Sequence, residues 1–288
     1  MIRSRASPFK CSAVITDVDG TLVDEEKRLT SRAISAVAEL RASGIVFSII
    51  SSRPPRGLRF LLGPLGITTP IGSFNGGLVA ATDLSVISEH LLSSAVARHA
   101  VDMLNARRVQ VWVFSGQDWL VRDSGAPYVG IEERTLGFSP KIVENLGASL
   151  DGVAKIVGVS SDFELLERCE SDVRGALAED ASVARSQPYY LDITDPLANK
   201  GAALSEIAQL LTVPLAEIAV IGDGGNDVAM FERSGLSIAM GNASPEAQRA
   251  ADFVTDSNRD EGFANAVERF ILGGGRERAA VEHVGGRA

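Results

Sequence analysis

The fold of this chain is decided by residues 11–22, which read CSAVITDVDGTL. A short apolar run bounded by glycine predicts a buried strand, here at 11–16. The strand ends in Asp17 and Asp19, and open α/β sheets bind their ligands at such carboxyl ends. Like charges so close together repel each other, and a cation between them reduces the repulsion. The stretch therefore predicts a metal-assisted site at the end of the first strand.

Composition limits the classes of protein to which the chain can belong. It has 288 residues, 45% of them hydrophobic, which is enough for the core of one large or two smaller domains. A net charge of −9 argues against a nucleic-acid partner, because phosphate backbones bind basic surfaces. No apolar run approaches the roughly 18 residues of a membrane span. The two cysteines, Cys11 and Cys169, match no zinc or disulfide spacing and predict a reducing, cytoplasmic location.

The order of the predicted elements indicates a parallel sheet with helices on its faces. Helices near 30–44 and 55–62 alternate with strands at 45–50 and 70–74. The same alternation resumes at residue 199 and continues to residue 272. Strands and helices that alternate through short connections predict a Rossmann-like, doubly wound α/β core.

Between the two halves of this core the sequence changes character. Over 81–188 the strand-like runs are short and are interrupted by Gly, Asp and Ser. We therefore predict an inserted α+β cap domain at 81–188 and a discontinuous core domain formed by 1–80 and 189–288. The last residues, 273–288, are rich in Gly and Arg and are predicted to be a flexible tail.

Four further polar motifs occur where predicted strands end or helices begin. They are Ser51-Ser52-Arg53, Asn75-Gly76, Lys200 and the loop at 222–227, which reads GDGGND. Taken singly, each has an ordinary structural interpretation, since hydroxyls cap helices, Asn-Gly pairs form turns and lysines are commonly solvated. A lysine at the start of a helix is mildly disfavoured by the helix dipole, which favours a functional role for Lys200.

Taken together with residues 17–22, these motifs closely resemble those of the haloacid dehalogenase superfamily, and in detail its Cof-like (class IIB) branch of sugar phosphatases. The resemblance covers about residues 13–271 and includes the stretch at 240–243, which reads MGNA. It also includes a long insert between the hydroxyl motif and the lysine, which in these proteins is a mobile cap. The resemblance implies a phosphatase that hydrolyses small phosphorylated metabolites, such as sugar phosphates, through an aspartyl-phosphate.

The resemblance implies roles for the acidic residues. Asp17 is the nucleophile and a metal ligand, and Asp19 exchanges protons with the leaving group and with water while its backbone carbonyl ligates the metal. Asp223 is a direct metal ligand, and Asp227 is a direct or an indirect one. An all-oxygen ligand set of this kind suits Mg²⁺, which is the expected cofactor.

The resemblance also implies how the phosphate is held. Ser51 supplies a hydroxyl to the phosphate, and Lys200 bridges the nucleophile and the transferred phosphoryl group. The residues expected to line the substrate site are Gly20, Ser52, Arg53, Asn75, Asn226 and Asn242.

Two other functions stay open at the level of sequence. A sugar phosphomutase uses the same two aspartates and a related cap. A non-catalytic protein would bind the metabolite without turnover. The motifs specify neither the phosphorylated substrate, nor the cap residues that select it, nor the oligomeric state.

Overall fold

A computed structural model describes residues 9–148 and 150–273 of the chain. Apart from its first residue, the predicted tail at 273–288 lies outside these residues. The strands are β1 (Ala13–Thr16), β2 (Val46–Ile49), β3 (Ile71–Ser73), β4 (Leu78–Ala80), β5 (Val86–Glu89), β6 (Gln110–Ser115), β7 (Asp118–Val121), β8 (Lys141–Ile142), β9 (Val153–Val159), β10 (Ser182–Gln187), β11 (Tyr190–Thr194), β12 (Ile218–Gly222), β13 (Leu236–Ala239) and β14 (Phe253–Val254). The helices are α1 (Ser31–Ala42), α2 (Arg59–Leu65), α3 (Ser94–Ala106), α4 (Val129–Leu136), α5 (Phe163–Leu177), α6 (Lys200–Leu211), α7 (Val228–Phe231), α8 (Pro245–Ala250) and α9 (Gly262–Ala266), which continues into a π-helical turn at Val267–Leu272.

The core sheet is parallel and has β1 next to its centre. Its strand order is β14-β13-β12-β1-β2, and every neighbouring pair is parallel. A parallel bridge between Ile50 and Gly72 brings β3 against its edge. All residues of β1 and β12 are buried, as expected for parallel strands covered on both faces. The predicted doubly wound α/β core is therefore confirmed.

The second large sheet is built from the insert, and its two faces pack against different partners. Its order is β10-β11-β9-β6-β7-β8, and most of its pairs are antiparallel. Val111 and Val113 of β6 lie on the face that packs against α3 and α5. The alternate residues, Trp112 and Phe114, belong to the hydrophobic cluster that continues into the core domain, where Phe114 meets Phe74 edge to face at 5.7 Å between centroids. One face of the insert sheet thus looks toward the core.

Sheet pairing differs from the predicted domain limits at both ends of the insert. Strand β5, inside the predicted 81–188, is hydrogen-bonded to β4, which pairs with β3 on its other side, so the three strands form one antiparallel sheet. Strand β11, which was assigned to the core half starting at residue 189, pairs with β9 and β10 of the insert. Backbone pairing decides such limits, and composition does not reveal it. The pairing favours an insert that spans residues 92–194.

The described residues include no helix that is both long and apolar enough to cross a bilayer.

Candidate active site

The ends of β1 and β12 bring the acidic motifs together. The two strands are neighbours in the sheet, with Thr16 opposite Ile221, so the residues that follow them emerge at the same edge. Asp17, Asp223 and Asp227 each offer a carboxylate oxygen within 4.8 Å of the others. The carboxylate of Asp19 is not part of this group.

Lys200 lies within this acidic group. Its Nζ donates hydrogen bonds of 2.6 Å to Oδ1 of Asp17 and of 2.6 Å to Oδ1 of Asp227. The side chain is positioned by α6, whose N-cap Asn199 accepts a hydrogen bond from the Ala202 N–H. Burial acts to lower the pKa of Lys200, but the charges of both aspartates outweigh it and raise this pKa above its ordinary value. The ammonium group is therefore a fixed positive charge.

Three carboxylates around one ammonium leave an excess of negative charge. Burial raises the pKa of Asp17, and the charges of Asp227 and Asp223 raise it further against the opposing effect of Lys200. Burial and the charge of Asp227 raise the pKa of Asp223 in the same way. A divalent cation among these oxygens would offset the repulsion, so the donor set fits the predicted metal.

The loop at 222–227 is closed by its own last side chain. Oδ2 of Asp227 accepts the backbone N–H groups of Asp223 at 2.9 Å and of Gly224 at 2.8 Å. Gly222 is required for this close approach, because a Cβ there would lie 2.4 Å from Cγ of Asp227. Both oxygens of Asp227 are thus engaged, one by the loop and one by Lys200. This favours a role in which Asp227 positions the loop and Lys200 beside the metal without coordinating it directly.

Gly20 and Asn242 hold the first motif against this loop. Gly20 has φ of +80°, and a Cβ at this position would lie 2.3 Å from Oδ2 of Asp223. Its carbonyl accepts a hydrogen bond from Nδ2 of Asn242 at 2.9 Å. The next residue, Thr21, donates from its hydroxyl to Oδ1 of Asp223 at 3.1 Å. These contacts give Gly20 and Asn242 a structural role in addition to the substrate contact predicted for them.

Asp19 is held by two cations. Nε and Nη2 of Arg53 donate to its two carboxylate oxygens, each at 2.7 Å, and Nζ of Lys27 lies 3.0 Å from Oδ1. Burial acts to raise the pKa of Asp19, but the hydrogen bonds and charge of Arg53, aided by Lys27, lower it to about 2. Lys27 was not predicted, because a lysine in the turn after the first motif carries no distinguishing sequence signal.

Arg53 also joins the core to the insert. It is 4% exposed, and its Nη1 donates at 2.7 Å to the carbonyl of Thr135 in α4. Leu136 of the same helix packs in the core cluster, and its Cδ2 lies against the turn at Gly57. A guanidinium that was predicted to contact substrate therefore also connects Asp19 with the insert.

The remaining predicted residues form two smaller sets. Ser51 is fully buried, and its Oγ accepts a hydrogen bond from the Arg53 N–H at 3.2 Å. This is the kind of contact that a helix-capping hydroxyl makes. Ser52 beside it is half-buried. Nδ2 of Asn226 donates to Oδ1 of Asn75 at 2.9 Å, so these two predicted substrate residues hold each other.

An unusual turn places Asn75 at the site. Phe74, Asn75 and Gly76 have φ of +50°, +58° and +95°. A Cβ at Gly76 would lie 2.4 Å from the carbonyl oxygen of Asn199, the N-cap of the lysine helix. Left-handed backbone at a bulky residue such as Phe74 costs roughly 1–3 kcal/mol, so the surrounding structure has to hold it. The hydrogen bond from the Phe74 N–H to the Arg53 carbonyl, 3.0 Å long, contributes to this.

Comparisons with known proteins show the family to which this α/β chain belongs. The family model of haloacid dehalogenase-like hydrolases matches residues 14–267. The chain therefore belongs to the haloacid dehalogenase-like hydrolases, as the motifs predicted.

Similar proteins of this family are named as phosphatases. YxeH of Bacillus subtilis, whose name describes it provisionally as a phosphatase, is 28% identical over 90% of this chain and 98% of its own. YwtE of the same organism, a 5-amino-6-(5-phospho-D-ribitylamino)uracil phosphatase, is 25% identical over 92% of this chain and 99% of its own. A solved haloacid dehalogenase-like hydrolase from Bacteroides thetaiotaomicron is 27% identical, covers 90% of this chain and 99% of its own, and superposes with a TM-score of 0.83. The chain is thus an enzyme of the phosphatase class.

Proposed function

We propose that the enzyme is a Mg²⁺-dependent phosphatase that hydrolyses small phosphorylated metabolites, in particular sugar phosphates. We propose further that it works through an aspartyl-phosphate on Asp17. The observation that carries this proposal is the pair of 2.6 Å hydrogen bonds by which buried Lys200 joins Asp17 to Asp227, beside Asp223. Mg²⁺ bound by Asp17 and Asp223 would offset the negative charge of the phosphoryl oxygens, so that the Asp17 carboxylate could approach the substrate phosphate.

The first half of the reaction forms a bond between a carboxylate oxygen of Asp17 and phosphorus. The bond from phosphorus to the ester oxygen breaks, and that oxygen takes a proton from Asp19. Lys200 stabilises the charge on the phosphoryl group while it moves. In the second half, water attacks phosphorus, gives its proton to Asp19, and releases inorganic phosphate and Asp17.

Proton donation by Asp19 requires a change in its surroundings. Its pKa of about 2 reflects the pairing with Arg53 and Lys27. A substrate phosphate that draws one of these cations toward itself would weaken that pairing and raise the pKa of Asp19. This fits the expectation that Arg53 contacts the substrate.

The proposal is tested by replacing the nucleophile. We expect Asp17→Asn to lower phosphate release from p-nitrophenyl phosphate in Mg²⁺ by at least about a thousand-fold, because an amide cannot form the intermediate. The matched control is Asp172→Asn. Asp172 lies on α5, at the surface, where it pairs with Arg107, and this variant should keep full activity. Turnover by Asp17→Asn at the wild-type rate would overturn the proposal. Isomerisation of a hexose phosphate faster than phosphate release would instead indicate a phosphomutase.

The proposed cellular location is the reducing cytoplasm. Both cysteines, Cys11 and Cys169, are free thiols. Thiols without a disulfide partner are typical of such a compartment.

A further inference from the structure

The insert sheet has unpaired polar groups on the face that looks toward the core. Among the described residues, the buried side-chain oxygens and nitrogens that lack a hydrogen-bond partner belong to Gln110, Trp112, Trp119 and Asp192. Both tryptophans pack in the core-facing cluster. Gln110 and Asp192 lie opposite Val159 and Val157, which belong to the same cluster, so they share this face. Such clustering is unusual, because buried polar groups are normally hydrogen-bonded.

Asp192 is the most costly of these groups to leave without hydrogen-bond partners, because it is a carboxylate. It is 7% exposed, and neither of its carboxylate oxygens accepts a hydrogen bond within the described residues. The nearest cation is Lys155, whose Nζ lies 3.3 Å from Oδ1 and which is itself 9% exposed. A buried carboxylate needs hydrogen-bond donors as well as a counter-charge. Its two oxygens are therefore available acceptors on the core-facing side of the insert.

Glu132 of α4 adds a more accessible carboxylate to this face. It is half-buried, and the hydroxyl of Tyr190 donates to Oε2 at 3.1 Å. Tyr190 is two residues before Asp192 on β11, so both side chains lie on the same side of the strand. Burial raises the pKa of Glu132, and Lys155, Asp192 and Arg53 all interact with it electrostatically.

Arg53 connects this acidic face with the proton-transfer side of the active site. Its Nη1 contacts the carbonyl of Thr135, one helical turn after Glu132, and its Nε and Nη2 hold Asp19. In the proposed reaction Asp19 protonates the leaving oxygen, so the leaving group lies on the Asp19 side. The part of the insert that is next to that side carries Glu132.

We infer that Glu132, positioned by Tyr190 and backed by Asp192, forms the leaving-group subsite and selects neutral, polyhydroxylated leaving groups over those that carry a carboxylate or a second phosphate. This inference rests on the proposed function. Carboxylate oxygens accept hydrogen bonds from sugar or polyol hydroxyls. Two carboxylates, Glu132 and Asp192, face one cation, Lys155, so a second anion on the substrate is repelled at this subsite.

The test compares three phosphate esters in Mg²⁺: ribitol 5-phosphate as the polyol, phosphoglycolate as the carboxylate, and p-nitrophenyl phosphate with neither group. For Glu132→Gln we expect kcat/KM for ribitol 5-phosphate to fall about ten-fold, mainly through KM, because a charged acceptor is lost. The value for p-nitrophenyl phosphate should stay within about two-fold, and that for phosphoglycolate should rise. Tyr190→Phe should show the same pattern more weakly, because it removes only the hydroxyl that holds Glu132.

The matched control is Glu133→Gln, the next residue of α4, which bonds to Ser139 and should leave all three values unchanged. If Glu132→Gln lowered all three values equally, its role would be to support α4 and Arg53, and the inference would be wrong. Wild-type enzyme that prefers phosphoglycolate would also overturn it. Should Glu132→Gln fold poorly, Asp192→Asn gives the same substrate comparison. If Asp17→Asn is inactive while the Glu132 variant keeps the wild-type profile, only this inference fails and the proposed function stands.

Discussion

Replacing Lys200 by Met should destabilise the metal-free protein strongly. The ammonium is 1% exposed and lies 2.6 Å from each of two carboxylates that are themselves buried. A methionine fills a similar volume but leaves those carboxylates without a counter-charge. Removal of one partner from a buried ion pair costs about 3–5 kcal/mol. At about 2–3 °C per kcal/mol for a protein of this size, the melting temperature should fall by roughly 6–15 °C.

The assay is thermal unfolding in chelator, followed by the same measurement with Mg²⁺. Lys141→Met is the matched control, because this lysine is 62% exposed in its pair with Asp118 and should contribute less than about 1 kcal/mol. Mg²⁺ should narrow the gap between Lys200→Met and the wild type, since a cation among the carboxylates replaces part of the lost charge. A chelated Lys200→Met protein that melted within about 2 °C of the wild type would refute the reasoning.

Two further predictions concern the first motif. Gly20→Ala should lower both phosphatase activity and Mg²⁺ affinity, because the added Cβ would lie 2.3 Å from Oδ2 of Asp223 at a φ of +80°. Gly116→Ala is the control for backbone strain alone, because Gly116 has a φ of +56° and open space around it. Equal effects of the two variants in Mg²⁺ titrations would contradict the prediction. Arg53→Gln should remove a pH-dependent part of stability: the folded pKa of Asp19 is about 2 against an ordinary 3.8, so this contribution is complete above about pH 4 and is lost as the pH falls toward 2. The stability gap between this variant and the wild type, measured by urea unfolding, should therefore shrink over that range, and a gap that grew on acidification would contradict the assignment.

Much of the fold could be predicted because local sequence patterns indicate its helices and strands. The apolar run before Asp17 and the regular alternation of helices and strands depend on neighbours in sequence, and the parallel core sheet confirms them. The haloacid dehalogenase-like family, implied by the motifs, is confirmed over 14–267. The limits of the insert depend on strand pairing, which joins β5 to β4 and β11 to β9 and which composition does not reveal.

The candidate site divides in the same way. The sequence supplied Asp17 and Asp223 at strand ends and Lys200 at the start of a helix, and their assignment to catalysis and metal binding stays a prediction. It could not supply the second partner of Asp19, since Lys27 becomes significant only when a turn brings its Nζ within 3.0 Å. It also gave Arg53 as a substrate residue without its contact to the Thr135 carbonyl, 82 residues away.

The amino-acid sequence by itself determined which polar groups this protein carries at the ends of its strands and the starts of its helices, namely an aspartate pair, a lysine and a glycine-rich acidic loop, because these positions follow from local patterns. The tertiary structure decided how those groups are charged and what surrounds them. Burial and distance set the pairing of Lys200 with two carboxylates and of Asp19 with two cations. The same packing brought Glu132 and Asp192 to the core-facing side of the insert, where no motif marks them. Electrostatic interactions depend on separation and desolvation, and both arise only when distant parts of the chain are folded together.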